Sequence, residues 1–379
     1  MKRLRIAMFM SSHPAKAGGV QEHILYLSRE MKKRGHRVTL FGPKPSKNIF
    51  THYKVMGEKI YLPLPGDNDG NIHVLYEKDK PEEVFTQTKF DILHIHEPYM
   101  PLAAWTVLDK ARLPVVGTFH TSWDDDSLLN VLNGFMPLFK DTFSSRNHSA
   151  IFVSDATRKK WIDLCSSAML KEVIPNAVDG NEFYPKQSIN KKIELLYVAR
   201  LVARKGIDKL LESVLILQKN KVDFHLTIIG GGVKASYVRD FIRIHSLKHI
   251  VTYLGELRGA DRLPYFHKAD VFCAPYINEA APIAILEAIS SGLPIVGFRN
   301  NSFSEILSDY PFKELLVKKD PKDLAHALEQ LIENPSKIQT IKKWCIDKRS
   351  SFSWTRIADR TEEMYYKTIE RYHHEKAHI

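Results

Sequence analysis

Cysteine is scarce in this chain. Its 379 residues contain three, Cys165, Cys273 and Cys345, set far apart and forming no C-x-x-C pair. That spacing argues against a disulfide framework or a cysteine-built zinc centre and fits a reducing compartment. Long apolar runs are missing too: no stretch approaches the roughly 18 residues that a bilayer-spanning helix needs. The opening MKRLRIAMFMSSHPAKA has the outline of a signal peptide, but its apolar core, Ile6 to Met10, is too short for one. It reads instead as a first buried strand. The expected location is therefore cytoplasmic, free or peripheral at the inner face of the cell membrane. Low-complexity tracts are absent as well, and 44% apolar with 26% charged residues is ordinary globular composition. The length allows two or three domains with real cores.

What is abundant is positive charge. The formal net charge is +11, with the excess spread over both halves. Such a balance favours anionic partners: nucleotides, phosphates, acidic lipid or nucleic acid. The cations are dispersed and no aromatic–basic stacking platform is visible, so nucleic acid is not expected as a partner.

Short apolar runs alternate with longer amphipathic segments. The first series is LRIAMFM (4–10), RVTLF (37–41), DILHI (91–95), PVVGTF (114–119) and SAIFV (149–153). The second is IELLYV (193–198), FHLTIIG (224–230), IVTYL (250–254), DVFCAP (270–275) and LPIVGF (293–298). Near-continuous apolar runs are what parallel strands covered on both faces require, and strands alternating with helices imply doubly wound α/β sheets. Two series predict two Rossmann-like domains, residues 1–187 and 188–353, with the boundary in YPKQSINKK (184–192). Residues 354–379 read as a C-terminal helix packing back across the domains.

Open α/β sheets bind ligands beyond the carboxyl ends of their strands. Gly18-Gly19 follows the first strand and opens a helix with Val20, Ile24, Leu27 and Met31 on its apolar face. The pair either lets backbone approach an anion at a helix start or makes a plain tight turn. It is not G-x-G-x-x-G, so a dinucleotide reading loses its main support. His120, in GTFHTSW, ends a strand, where it serves a ligand or merely the structure. Arg200, Lys205 and Gly206 follow strand 193–198; the cations suit a diphosphate clamp or stand solvated. Gly230 and Gly231 repeat the strand-to-glycine theme. In NEAAPIAILEAISS (278–291), Pro282 suits the first position of a helix. Glu279 then precedes that helix and Glu287 lies within it, with Pro282 to Glu287 spanning about 7–8 Å. Two carboxylates so spaced suit hydroxyls at opposite ends of one extended ligand; the plainer alternative is one solvated glutamate and one favouring the helix dipole.

These stretches resemble, in order, the family-4 retaining glycosyltransferases of GT-B fold, and most the phosphatidylinositol mannosyltransferase group. The matching segments are AGGVQEHILYL, FDILHIHEP, GTFHTS, IFVSDATRKKW, VIPNAVD, ARLVARKG, ADVFCAP and the Glu-x7-Glu of EAAPIAILE, with FSW at 352–354. The resemblance implies two Rossmann-like domains facing across a cleft, crossed by a C-terminal helix. It implies a nucleotide-sugar donor, GDP- or UDP-linked, as substrate, with no cofactor and no metal. By that resemblance Glu287 holds ribose hydroxyls, Glu279 orients the transferred hexose, and Arg200 and Lys205 neutralise the departing diphosphate. Gly18, Gly19, Gly230, Gly231, Ala281, Pro282 and Ile283 line the donor, and His120 hydrogen-bonds the sugar. Ser12, Ser122 and Asp125 are acceptor-side candidates.

Three departures bear on specificity. EAAP (279–282) stands where the family has an aromatic–glycine pair, and Pro282 carries no N–H to offer a ligand. GFRNNSFSEI replaces the usual small residues and Gly-x-Pro-Glu, with Glu305 kept. TSWDDDS (121–127) puts three aspartates where the phosphoinositide-using relatives place a basic residue, which argues against a phosphoinositide and leaves another lipid-linked acceptor open. The acceptor is then a glycolipid or a saccharide. Contact with an acidic membrane surface would fall to SREMKKRGHR (28–37), which otherwise reads as a solvated helix end. A nucleotide-sugar binding protein without turnover is the remaining class.

Overall fold

The computed structural model describes residues 2–11, 18–45, 52–61, 71–86, 89–120, 136–146, 148–186, 192–277, 279 and 282–377. Two compact units divide them: Met1–Asn176 with Trp354–Ile379, and Ala177–Ser353. The chain thus leaves the first unit, builds the second, and returns for its last helix.

The first unit contains β1 (Arg5–Met10), β2 (Arg37–Gly42), β3 (Tyr53–Val55), β4 (Glu58–Tyr61), β5 (Asn71–Val74), β6 (Ile92–His96), β7 (Val115–Phe119), β8 (Ser149–Phe152) and β9 (Leu170–Val173). Seven of these form one sheet in the order β3-β2-β1-β6-β7-β8-β9. Every neighbouring pair in it is parallel; β4 and β5 pair apart, antiparallel. β6, β7 and β8 are buried along their whole length, as expected of strands covered on both faces. Between β1 and β2 the helix Gly19–Lys33 buries His23, Ile24, Leu27, Ser28 and Met31. That is the three-to-four-residue spacing of one helical face.

The last helix, Trp354–Ala377, belongs to this unit. It buries Trp354, Ile357, Ala358, Thr361, Met364, Tyr365, Thr368 and Tyr372, and several of its polar groups are matched too. Tyr365 Oη lies 2.7 Å from His94 Nδ1, and the hydroxyls of Thr368 and Ser149 are 2.5 Å apart. Glu362 meets His36 at 3.0 Å and Arg34 at 3.1 Å, while Arg360 reaches Glu172 at 2.6 Å.

The second unit carries β10 (Ile193–Val198), β11 (Phe224–Ile229), β12 (Val251–Tyr253), β13 (Val271–Ala274), β14 (Ile295–Phe298) and β15 (Leu316–Val317). They form one parallel sheet in the order β12-β11-β10-β13-β14-β15. Its core includes Leu210, Leu211, Val214 and Leu217 from the helix Ile207–Lys219, packed with Leu195, Ile228, Phe272 and Val296 of the sheet. Both sheets reverse direction of strand order once, at β1/β6 and at β10/β13. These switch points are where open sheets leave a crevice. Among the described residues no helix is long and apolar enough to cross a membrane.

The backbone at the carboxyl end of β11 is shaped by one glycine. Gly230 has φ +151°, and a Cβ there would fall 1.8 Å from the Ala199 carbonyl oxygen beyond β10. Neither the conformation nor the space admits a side chain. Gly230→Ala is expected to lose about 2 kcal/mol or more, read as a lowered unfolding midpoint of the second unit; an unchanged melt would show that the loop relaxes freely.

Candidate active site

In the second unit the loops after β10 and β13 are knitted together at the switch point. Gly206, at φ +63°, leaves room for the Pro275 carbonyl, which a Cβ would approach to 2.0 Å. Ile277 N–H donates to the Arg204 carbonyl at 2.9 Å. Tyr197 Oη donates to the Lys205 carbonyl at 3.1 Å, and Tyr276 Oη to that of Val198 at 2.8 Å. The two tyrosines are buried, so the loop bearing the cations is held by fixed donors rather than by solvent.

Lys205 Nζ contacts a Glu279 carboxylate oxygen and lies 4.5 Å from the centre of the Tyr276 ring. Arg204 Nη1 reaches the same oxygen at 3.5 Å. Burial pulls the Lys205 ammonium well below its ordinary pKa, and the neighbouring Arg204 and Arg200 add to the effect; the Glu279 carboxylate works against it. Arg200, just past β10, is exposed. Three cations and one carboxylate therefore share this corner, leaving a local excess of positive charge. Such an excess attracts a diphosphate.

Glu287 sits in the helix Ile283–Ser290, and its side chain is 2% exposed. Arg262 grips both of its oxygens at 2.9 Å. A buried carboxylate without a partner costs several kcal/mol, and a bidentate guanidinium removes that cost. Expected to meet donor hydroxyls, both glutamates thus already have protein cations as partners: Lys205 and Arg204 for Glu279, Arg262 for Glu287. A carboxylate oxygen accepts more than one hydrogen bond, so the arginine fork and a ribose hydroxyl are compatible. Arg262, Arg204 and Tyr276 were not legible as site residues in the sequence. Arg204 lies inside ARLVARKG but was passed over for Arg200 and Lys205, Arg262 and Tyr276 stand outside the quoted segments, and only folding brings all three to the glutamates.

The glycine loop after β11 is internally committed. Gly230 N–H donates to the Gly255 carbonyl, its own carbonyl accepts from Tyr253 Oη at 2.9 Å, and the Gly231 carbonyl accepts from Leu201 N–H at 2.7 Å. Pro282 is the residue before the helix, not its first turn: its backbone is extended and its carbonyl accepts from Ile285 N–H at 3.1 Å. Ile283 is half-buried at the helix start, and Ala281 lies outside the described residues.

In the first unit Gly18, half-buried, precedes the helix Gly19–Lys33, whose exposed first residue is Gly19. Gly18 brings no side chain to cap this end, and the first amides of a helix have no intrahelical acceptor. His120 follows β7 and is buried among three other histidines. Its Nε2 lies 3.0 Å from His96 Nδ1 at the end of β6, and its ring centre 4.7 Å from that of His23. His94 spans Thr118 at 2.6 Å and Tyr365 at 2.7 Å. Burial depresses every one of these imidazoles: His23 to about 4, His94 to about 3, His96 and His120 well below the ordinary value. All four are neutral near pH 7. H-x-H on one strand places His94 and His96 on one face, which was the signal available for them. Ser12, Ser122, Asp125 and the Asp124–Asp126 run lie outside the described residues.

The basic stretch 28–37 is largely engaged. Lys33 pairs with Glu30 at 2.5 Å, and Arg34 pairs with Asp359 at 2.5 Å and with Glu362.

Two outcomes follow from these charges. Arg262→Ala strands the Glu287 carboxylate and is expected to destabilise the second unit by about 3–5 kcal/mol, measured by urea unfolding; a loss under about 1 kcal/mol would mean that other donors hold the carboxylate. For the histidines, the native pKa lies below the unfolded value of 6.5, so their burial contributes stability above pH 6.5 that is lost as pH falls. Between pH 6.5 and 4 the first unit is expected to lose roughly 1.4 kcal/mol per pH unit for each histidine kept neutral. Chemical unfolding at stepped pH checks this, and a flat profile over that range contradicts it.

Comparison with known proteins bears on what such a site serves. The Glycosyltransferase Family 4 pattern matches residues 17–182, and Glycosyl transferases group 1 matches residues 180–344. A phosphatidyl-myo-inositol mannosyltransferase of Mycobacterium tuberculosis is 30% identical over 338 residues, 86% of this chain and 85% of that protein. A phosphatidylinositol N-acetylglucosaminyltransferase subunit from Homo sapiens is 26% identical, over 92% of this chain and 73% of that one. Among solved structures, Anabaena HepE in complex with UDP and glucose superimposes with a TM-score of 0.74 at 18% identity, covering 96% of this chain and 99% of that one. The match runs through both parallel-sheet units, and the chain belongs to the family-4 glycosyltransferases of GT-B fold.

Proposed function

We propose that this glycosyltransferase moves a hexose from a UDP- or GDP-linked sugar to a hydroxyl of a membrane glycolipid, with retention of configuration and no metal at the diphosphate. The observation that carries this reading is the cation cluster beyond β10, where Arg204 and Lys205 meet Glu279 and Arg200 lies close enough to Lys205 to act on its charge. In the proposed reaction these cations take up the charge that develops on the leaving nucleoside diphosphate. Fixed charges aimed at a developing anion lower the barrier without reorganisation. A leaving phosphate oxygen accepts the acceptor's proton as the acceptor oxygen bonds to the anomeric carbon on the same face. Glu279 is then a positioning group: it holds Lys205 in place and turns its remaining lone pairs to sugar hydroxyls. Glu287, locked by Arg262, presents a fixed acceptor edge to the ribose. His120, neutral at pH 7, is assigned the hydrogen bond to the transferred sugar.

The lipid acceptor rests on the relatives, whose names place mannose or N-acetylglucosamine on phosphatidylinositol. One observation favours a soluble acceptor instead: Lys33 and Arg34 are paired within the first unit, which leaves less charge there for an acidic surface.

Screening UDP- and GDP-sugars by thermal shift identifies the donor, since a ligand bound only by folded protein raises its stability. With that donor, Arg200→Ala is expected to abolish transfer and weaken nucleoside diphosphate binding about tenfold or more. Unchanged turnover would remove the clamp. Co-sedimentation with acidic vesicles at low salt separates the acceptor classes, and absence of binding there favours the soluble one.

A further inference from the structure

The described residues contain one group of three or more metal-type ligands in close register, and it is not at the diphosphate corner. His23, His96 and His120 each offer a ring nitrogen within 4.8 Å of those of the other two, and all three are buried. They come from three elements of the first unit: the helix after β1, the end of β6 and the residue after β7. Hydrogen bonding accounts for part of the arrangement, the 3.0 Å contact of His96 Nδ1 with His120 Nε2, but not for all of it. His23 Nδ1 and His96 Nε2 are buried with no hydrogen-bond partner, an arrangement that costs roughly 1–3 kcal/mol per group. We propose that these three histidines form a binding site for a borderline divalent cation of the zinc class, with a fourth position open to water or a ligand.

Three chemical features support the assignment. An ion with bonds of about 2.0–2.1 Å holds tetrahedral nitrogens roughly 3.3 Å apart; His96 Nδ1 and His120 Nε2 stand 3.0 Å apart in a hydrogen bond that the ion would replace, and a ring nitrogen of His23 lies within 4.8 Å of its counterparts. Asn176 stands beside the His23 ring, placed to act as the outer partner that orients a ligating imidazole. A nitrogen-only set with no carboxylate selects zinc, copper, nickel or cobalt over magnesium or calcium. The consequence is regulatory. A cation bound here takes the His120 nitrogen away from the sugar, so metal inhibits transfer; this consequence, unlike the site, rests on the role proposed for His120.

Cobalt(II) serves as probe, because a tetrahedral nitrogen site gives it intense visible absorption. Full-length protein is expected to bind one cobalt ion with that spectrum and to lose it when zinc is added. His23→Gln and His96→Gln should each weaken binding about a hundredfold, while the doubly substituted H373Q/H374Q chain, altered only at the exposed C-terminal pair, should bind unchanged. Asn176→Ala, which keeps all three ligands, should weaken binding about tenfold and serves if a histidine variant fails to fold. Absence of the spectrum in the wild-type protein, or its persistence in both histidine variants, overturns the site. Zinc bound one-to-one with transfer unaffected overturns the inhibition and the placement of His120, and leaves the metal site standing.

Discussion

The loop beyond β10 cannot move without the loop beyond β13. Gly206 fits against the Pro275 carbonyl, the Arg204 carbonyl accepts a backbone bond from Ile277, and Lys205 puts its ammonium on Glu279 and over Tyr276. Each charge there would be costly alone in its half-buried position. Together they fix a local surplus of positive charge at the one place where the sheet's strand order reverses. The fold supplies the crevice, and the ion pairing keeps its cations ordered before any ligand arrives. Preorganisation of this kind is what makes electrostatic stabilisation effective in a transferase.

The same logic is applied once more in the second unit and in a different form in the first. Glu287 is buried because Arg262 is buried with it, and the pair anchors the helix Ile283–Ser290 whose remaining buried residues are almost all apolar. In the first unit the polar groups at the strand ends are histidines held neutral. Their low proton affinity comes chiefly from burial, so they add polar contacts without adding charge. One unit thus carries fixed cations beyond its switch point and the other neutral imidazoles at its strand ends.

Much of the architecture was legible in the residues. The ten apolar runs all became strands within a residue or two of their expected ends, because a strand covered on both faces must be apolar throughout. The five strands that were missed are short or partly solvated: Tyr53–Val55 and Leu170–Val173 lie at sheet edges with little burial, and Leu316–Val317 has two residues. Edges carry a weaker hydrophobic signal because one side faces solvent or a loop. For the candidate site, the residues after strand ends were legible as positions. Their partners were not: Arg262 lies 25 positions before Glu287, and Lys205 lies 74 positions from Glu279.

By itself the sequence determined the kind of object: two series of buried strands, a C-terminal helix after the last of them, and polar residues placed after strand ends. Those follow from local periodicity, which each segment carries within itself. Only the tertiary structure decided how charges are matched, that Glu279 leans on Lys205, that Glu287 is gripped by Arg262, and that His23, His96 and His120 converge. A charge is satisfied by whatever lies within a few ångströms in space, and chain distance says nothing of that until the sheets are formed.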